Sequence, residues 1–308
     1  MERFQKILFV SSGVKEDAAA LDRASRLAVA NQAQLTLLRV IEDFPLAASL
    51  LMPKKRLAEF HDAAQDMARN ELDELARKLD ASVKVNTKVV FGKPFIEIIR
   101  MVVSASHDVL IKSKTPTVKK DSLDSSDLHL LRKCPCPVWI VRPNQRKPFG
   151  KILIAIDPDP SEPERLSLHA DLMKLGTSLA EREQGMAEVV HTWVLDGETM
   201  MRGPRFNMNE NEIDALAKTA KLTHKKWMDD LVKPYSGEAL KVTLAKGPPG
   251  PTLVKLIEKK KPDLVVMGTV ARTGLPGLLI GNTAEYVLTQ IACSVFTVKP
   301  KGFKTPVC

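Results

Sequence analysis

The sequence has few cysteines and few aromatic residues, and it lacks a long apolar segment. Its four cysteines are too few and too unevenly spaced for a disulfide framework, which favours a reducing compartment. No apolar run approaches the roughly 20 residues that span a bilayer, and the N-terminal residues lead into a strand pattern rather than a signal sequence. We therefore expect a cytoplasmic protein without a membrane-spanning segment.

Aromatic residues make up only 5% of the chain, although the formal net charge is +9. A basic protein invites a nucleic-acid partner, but the basic residues are spread over both halves and interleaved with acidic ones, as in residues 62–78. A platform of aromatic side chains for stacked bases is also not evident. The charge is therefore assigned to solvated helix surfaces, and nucleic acid is not expected as a partner.

Motifs of phosphoryl-transfer enzymes are missing as well. The chain has no Gly-x4-Gly-Lys-(Ser/Thr) sequence and no pair of acidic residues placed after strands to hold Mg²⁺ in a kinase pattern. Six histidines show no metal-ligand spacing: His61, His107, His129, His169, His191 and His224. We expect a protein that is not an enzyme and holds no tightly bound metal; slow ATP hydrolysis remains compatible with the pattern.

The sequence Cys134-Pro135-Cys136-Pro137 resembles a metal or redox motif at first sight. A closed zinc site needs four ligands, and no second pair of ligands lies nearby in the sequence. Cys136 also has a counterpart in Cys293 of the second half. We therefore expect both thiols of the motif to be small buried apolar groups.

The chain repeats one pattern of strands and helices. The segment Ile152–Asp157 repeats the strand pattern of Lys6–Val10, and a Gly-containing turn and an Asp-initiated strand follow in both halves with an offset of about 150 residues. The segment Arg142–Gly150 is the linker. The expected domains are residues 1–145 and 150–302.

Strands that alternate with helices predict parallel sheets covered on both faces. The expected fold class is α/β, with two tandem, doubly wound, Rossmann-like parallel-sheet domains. The fifth strands of the two halves, Val138–Val141 and Val295–Val298, share a Cys-x-Val pattern, and the two halves are expected to pair with each other through these strands.

A glycine-rich segment in the second half organises the functional prediction. An apolar strand, Leu264–Met267, is followed by glycines at positions 268, 274, 277 and 281, and helical spacing resumes from Thr283 to Ile291. Such a loop can hold a phosphate because unpaired backbone N–H groups point towards it and glycine permits close approach. The sequence predicts a phosphate-binding loop between residues 268 and 283.

The spacing within this loop is more specific than its composition. Gly268, two residues, position 271, nine residues, and Gly281 with Asn282 resemble the Gly-2x-Gly-9x-Gly-(Ser/Thr) nucleotide loop of the universal stress protein family. Position 271 is Ala where the nucleotide-binding members have Gly, and Asn282 replaces Ser or Thr. The sequence His129-Leu130-Leu131-Arg132-Lys133-Cys134-Pro135 extends the resemblance to the first half.

The resemblance implies ATP or another adenine nucleotide as the ligand of the second half. Asp157, at the end of the first strand there, corresponds to the family's acidic residue at the base or ribose. The implied nucleotide-binding residues are Asp157, Gly268, Ala271, Arg272, Gly281, Asn282 and Thr283. In the first half, Ser11 or Ser12 stands at the acidic position and the loop Lys112–Asp121 has no glycine, so that half is expected not to bind nucleotide.

Two functions remain open from the sequence. The first is a cytoplasmic stress-response protein that binds an adenine nucleotide without efficient catalysis, as a small-molecule binding module whose two domains pair within the chain. The methyl group of Ala271 counts against tight binding. The second is a carrier or sensor of an apolar or sugar-linked metabolite with a vestigial nucleotide site, which the apolar segment Phe44–Met52 motivates.

Overall fold

The computed structural model describes most of the chain: residues 4–13, 17–44, 52–117, 123–143, 145, 148–161, 163–206, 208–235, 240–269 and 280–307. Its strands and helices alternate, as expected for an α/β fold. Spatial grouping gives two compact units, the first with residues 1–147, 272–280 and 292–308 and the second with residues 148–271 and 281–291.

In the first unit the strands and helices of the first half are β1 (Lys6–Ser11), α1 (Asp17–Asn31), β2 (Gln34–Ile41), α2 (Lys54–Arg77), β3 (Lys84–Phe91), α3 (Pro94–Ala105), β4 (Val109–Ser113), α4 (Ser125–Lys133) and β5 (Val138–Val141). The strand order is β3-β2-β1-β4-β5, with parallel pairing throughout. Ile7, Leu8 and Phe9 of β1 are fully buried, because helices cover both faces of a parallel sheet.

In the second half of the chain the elements are β6 (Lys151–Ala155), α5 (Pro163–Arg182), β7 (Met186–Trp193), α6 (Glu198–Met201), α7 (Glu210–Val232), a 3₁₀ turn (Lys233–Tyr235), β8 (Leu240–Lys246), α8 (Pro249–Lys260), β9 (Leu264–Gly268), α9 (Asn282–Leu288) and β10 (Ser294–Val298). Within the second unit the order is β9-β6-β7-β8, and the pairing is parallel. The helix α7 begins with a capping box between Asn209 and Glu212, which satisfies two otherwise unpaired backbone N–H groups.

Strand register confirms the duplication. Ile7 of β1 lies opposite Leu35 of β2 and Val109 of β4. Ile152 of β6 lies opposite Ala187 of β7 and Leu264 of β9. In each half the first strand therefore pairs with the second and fourth strands of that half, in equivalent register.

Two smaller features repeat with the strands. Gly92 after β3 has φ 138° and Gly247 after β8 has φ 141°, a backbone conformation that residues with a Cβ rarely adopt. Asp108 accepts a hydrogen bond from the backbone N–H of Lys6 at 3.1 Å, and Asp263 accepts one from Lys151 at 3.0 Å. Each aspartate ties the start of the fourth strand to the start of the first.

The fifth strands pair as predicted from the sequence. Strand β10 runs antiparallel to β5, with Phe296 opposite Trp139, and their rings stack with centroids 5.1 Å apart. Because of this pairing, β10 groups with the first unit, whereas the domain predicted over residues 150–302 includes it. The division at 145 and 150 stays a prediction about which segments fold independently.

Within the described residues, no helix is both long and apolar enough to cross a membrane.

Candidate functional site

The second unit has a point where strand order reverses. Strand β6 has β7 on one side and β9 on the other, and in doubly wound sheets ligands bind at the carboxyl ends of the strands at such a point. Asp157 lies two residues beyond β6, and its side chain is 31% exposed. Gly268 ends β9, and the preceding residue, Met267, pairs with Ala155 of β6. The fold thus brings Asp157 and Gly268 to the same edge of the sheet.

The glycine loop returns to this edge at Gly281. The backbone N–H of Gly281 donates to the carbonyl of Thr269 at 3.0 Å, so the residue before α9 lies against the residue after β9. Asn282 and Thr283 are the first two residues of α9, and both are exposed. Of the seven predicted nucleotide-binding residues, five are described, whereas Ala271 and Arg272 lie outside the described residues.

A pair of histidines lies beside Asp157. His191 of β7 contacts the carbonyl of Ile156 through Nδ1 at 3.2 Å, and this nitrogen is 3.9 Å from the Asp157 carboxylate. A carbonyl can only accept, so Nδ1 of His191 carries a hydrogen and donates it. The other ring nitrogen, Nε2, is 2.9 Å from Nδ1 of His224 on α7.

Sequence reasoning missed this pair. It assessed the histidines for metal-ligand spacing, and the two partners are 33 residues apart in the sequence. One usable signal exists, because His191 lies near the end of the strand that follows β6 and so belongs to the same edge as Asp157. Nothing in the sequence pattern places His224 against it.

In the first unit, charged side chains of the protein itself lie at the corresponding edge of the sheet. Lys112 of β4 forms a buried ion pair with Asp127 in the first turn of α4. Asp127 also accepts from the backbone N–H of Thr115 at 2.9 Å and from its hydroxyl at 3.1 Å. Asp124 caps α4 by accepting from the N–H of Asp127 at 2.6 Å; burial and the neighbouring Asp127 raise the pKa of Asp124 above its ordinary value.

A second internal carboxylate binds the loop after β1. Asp17 of α1 is buried and accepts from the Ser11 hydroxyl at 2.9 Å, the Ser12 N–H at 2.6 Å and the Gly13 N–H at 3.2 Å. Arg39, at the end of β2, donates to the Ser11 carbonyl at 3.2 Å. Backbone N–H groups at a strand-to-helix turn are the usual donors to a bound anion, and here a side chain of the protein takes that place.

The second unit replaces the buried ion pair of the first with apolar residues. Lys112 pairs with Val10 of β1, and Met267 pairs with Ala155 of β6, so the two residues share one register position. Asp127 is the third residue of α4, and Ala284 is the third residue of α9. Met267 and Ala284 are both buried. The buried ion pair of the first unit therefore has no counterpart at these two positions of the second unit.

The cysteine motif is buried, as the sequence predicts. The Sγ atoms of Cys134 and Cys136 are 3.5 Å apart, and both residues are buried. Burial, together with the hydrogen bond between the two thiols, raises the pKa of the Cys136 thiol well above its ordinary value. A thiol of this kind is a poor nucleophile. Across the part of the chain that the structure describes, no group of three or more His, Cys, Asp and Glu residues is placed to hold a metal ion.

Comparison with known proteins agrees with the tandem fold. The model of the Universal stress protein family matches residues 3–142 and again residues 148–299. The chain belongs to the universal stress protein family and carries two of its domains.

The relatives with two domains are similar over the whole chain. Universal stress protein E of Salmonella typhi is 30% identical over 314 residues, which cover 100% of this chain and 98% of that protein. The crystal structure of a functionally unknown protein from Pseudomonas aeruginosa is 27% identical with a TM-score of 0.71, covering 98% of this chain and 95% of the other. A universal stress protein structure from Archaeoglobus fulgidus shares the fold, with a TM-score of 0.64, 18% identity and coverage of 96% and 98%.

Proposed function

We propose that this tandem universal stress protein binds ATP or a related adenine nucleotide in its second unit. Asp157 holds the base or ribose end, and the loop from Gly268 through Ala271 and Arg272 to Gly281, Asn282 and Thr283 holds the phosphates. The protein acts in the cytoplasm as a stress-response binding module that does not turn over nucleotide efficiently.

The partly exposed carboxylate of Asp157 at the switch point carries the proposal. Its side chain is 31% exposed, so it can accept hydrogen bonds from a ligand, and it shares a sheet edge with Gly268. A carboxylate after the first strand and a glycine after the fourth are suited to the two ends of a nucleotide. Exposed Asn282 and Thr283 add polar side chains where the loop returns.

The contrast between the units supports the same assignment. In the first unit Asp17 and Asp127 occupy backbone N–H groups that an anionic ligand would need. In the second unit Ala284 takes the position of Asp127 and presents no charge. Phosphate groups would meet a carboxylate in the first unit, and like charges at this range repel. The proposed function therefore assigns one nucleotide to each chain.

The alternative ligand is an apolar metabolite in the first unit. Phe44 lies 6.0 Å from Phe60, and His61 stacks on Phe91 at 4.1 Å, measured between ring centroids. Phe44 begins the apolar segment Phe44–Met52, of which residues 45–51 lie outside the described residues. The side chain of Phe60 is also exposed, so this aromatic group can contact a ligand.

Mass spectrometry of the gently purified, intact chain separates these two functions. We expect the released small molecule to be an adenine nucleotide and its amount to fall in Asp157→Ala. Asp159→Ala is the matched control, since Asp159 is a carboxylate of the same loop that accepts from the N–H of Ser161. Release of an apolar compound whose amount depends on Phe60 and not on Asp157 would favour the carrier function.

A further inference from the structure

Two tryptophan side chains, Trp193 and Trp227, flank the contact between His191 and His224. The His224 ring lies 4.7 Å from Trp227 in an edge-on arrangement and 6.0 Å from Trp193, and it is 5.0 Å from His191. His191 is buried and His224 is partly exposed. The imidazole pair thus extends from the surface of α7 to the interior beside Asp157.

The hydrogen bonds fix where protons reside in the neutral pair. Nδ1 of His191 donates to the Ile156 carbonyl at 3.2 Å, so Nε2 of the neutral ring is an acceptor. Nδ1 of His224, 2.9 Å away, must then supply the hydrogen between the rings. A further proton adds to an imidazole nitrogen that carries no hydrogen in the neutral pair, and the pair then carries one positive charge.

The carboxylate of Asp157 lies beside this pair. Its Oδ1 lies 3.9 Å from Nδ1 of His191, a distance at which an imidazolium and a carboxylate attract each other strongly. Other charged groups of the surrounding elements form ion pairs of their own: Lys246 of β8, opposite Trp193, with Glu198 of α6, Lys225 with Asp229 on α7, and Glu188 with Lys260 on the opposite face of β7. Lys221 and Lys226 of α7 are exposed and carry the same sign of charge as the protonated pair.

We propose that His191 and His224 are positioning residues for Asp157 and form with it a proton-linked unit. Uptake of one proton by the imidazole pair draws the Asp157 carboxylate into an ion pair and withdraws it from a ligand. This inference rests on the proposed nucleotide site for its effect on binding, whereas the coupling between Asp157 and the imidazole pair exists in the free protein. The site consequently releases nucleotide as the pH falls through the midpoint of the pair.

Titration of the free, full-length protein tests the coupling. Histidine ¹⁵N resonances are followed by NMR from about pH 5 to pH 8.5, the range in which imidazoles exchange protons. Because Asp157 stabilises the charged pair, Asp157→Asn is expected to lower the midpoint of His191 and His224 by about 0.5 to 1 pH unit. Asp159→Asn is the matched control and is expected to leave both midpoints in place. An unmoved midpoint in Asp157→Asn, or an equal shift in Asp159→Asn, would overturn the proposal.

The hydrogen bond between the two imidazole rings is tested by a separate variant. In His224→Gln the His191 resonances are expected to change their midpoint, since the partner of Nε2 is replaced, and circular dichroism checks that the variant is folded. If His191 titrates identically in wild type and His224→Gln, the two rings do not act as a pair and the proposal fails.

Addition of ATP distinguishes failure of this inference from failure of the proposed function. Binding to Asp157 is expected to lower the midpoint of the pair in wild type but not in Asp157→Asn, because linkage is reciprocal. ATP that binds by calorimetry without moving the midpoint contradicts the proton link. If ATP binds at no pH, the proposed function is wrong, and the Asp157→Asn shift in the free protein still decides whether the proton-linked unit exists.

Discussion

Lys112 and Asp127 form a buried ion pair in the first unit, and Met267 and Ala284 hold the matching positions of the second. The two units therefore share a fold but have different side chains at the corresponding edge of the sheet, a charged pair in the first unit and an apolar pair in the second. A buried ion pair is costly to break but often inexpensive to replace as a whole, because the desolvation cost of both charges disappears together.

Removal of one partner of this pair should destabilise the protein strongly. Asp127→Ala leaves the Lys112 ammonium buried without its carboxylate and is expected to cost about 3–5 kcal/mol of unfolding free energy. The double variant Lys112→Met with Asp127→Ala, which copies the second unit, should recover most of that loss. Urea denaturation of the three proteins measures both effects, and a double variant less stable than Asp127→Ala would contradict this view of the pair.

The contact between β5 and β10 should contribute substantially to stability. Phe296 is fully buried and stacks on Trp139 at 5.1 Å and on Phe4 at 6.2 Å between ring centroids. Phe296→Ala is expected to lower the free energy of unfolding by about 3–5 kcal/mol. Phe206, which is exposed, is the control, and Phe206→Ala should change stability by less than about 0.5 kcal/mol. Similar losses in both variants would show that the strand pairing is not a main source of stability.

Lys299 should make the stability depend on pH in the alkaline range. Its ammonium donates to the carbonyl of Leu131 near the end of α4, and burial lowers the pKa of Lys299 to about 8. Between about pH 8 and the unfolded value near 10.4, the unfolded chain binds this proton and the folded chain does not. The free energy of unfolding therefore rises with pH through this window, by roughly 3 kcal/mol in total.

The variant Lys299→Met isolates this effect from other groups that titrate at alkaline pH. Wild type should gain stability relative to Lys299→Met between about pH 8 and 10, and the difference should be constant at pH values well below 8. Chemical denaturation at pH 7, 9 and 10 makes the comparison. A difference that does not change with pH would mean that Lys299 keeps its ordinary pKa in the folded protein.

Ala271 should weaken the nucleotide loop without abolishing it. A Cβ at a position that needs positive φ costs on the order of 1 kcal/mol, and glycine would also permit closer approach of the backbone to phosphate. Ala271→Gly is therefore expected to tighten ATP binding by about fivefold or more, measured by calorimetry. Weaker binding in Ala271→Gly would contradict the spacing that places residue 271 at a phosphate.

Local sequence signals predicted most of the fold because they are short-range. Apolar runs such as Leu264–Met267 identify buried strands, and the repeated Gly92 and Gly247 turns mark the duplication. The order of the strands and their register come from the structure, which places each first strand between the second and fourth. The prediction for the segment Phe44–Met52 falls largely on residues 45–51, which lie outside the described residues.

The site was less predictable because its contacts join distant segments. The sequence indicates Asp157 and Gly268 as ends of strands, but the contact of His191 with His224 depends on how α7 packs against β7. The absence of glycine in the loop of residues 112–121 suggested a changed site in the first half. Only the structure shows that Asp127 accepts a hydrogen bond from the backbone N–H of Thr115 in this loop.

Calorimetric titration of the intact chain with ATP, at one salt concentration, tests the central claim most directly. The account predicts one nucleotide per chain, bound about tenfold or more weakly in Asp157→Ala, the effect of losing a hydrogen bond to a charged group, and with unchanged affinity in Asp159→Ala. Two nucleotides per chain, equal affinity in wild type and Asp157→Ala, or no binding to any of the three proteins would contradict it.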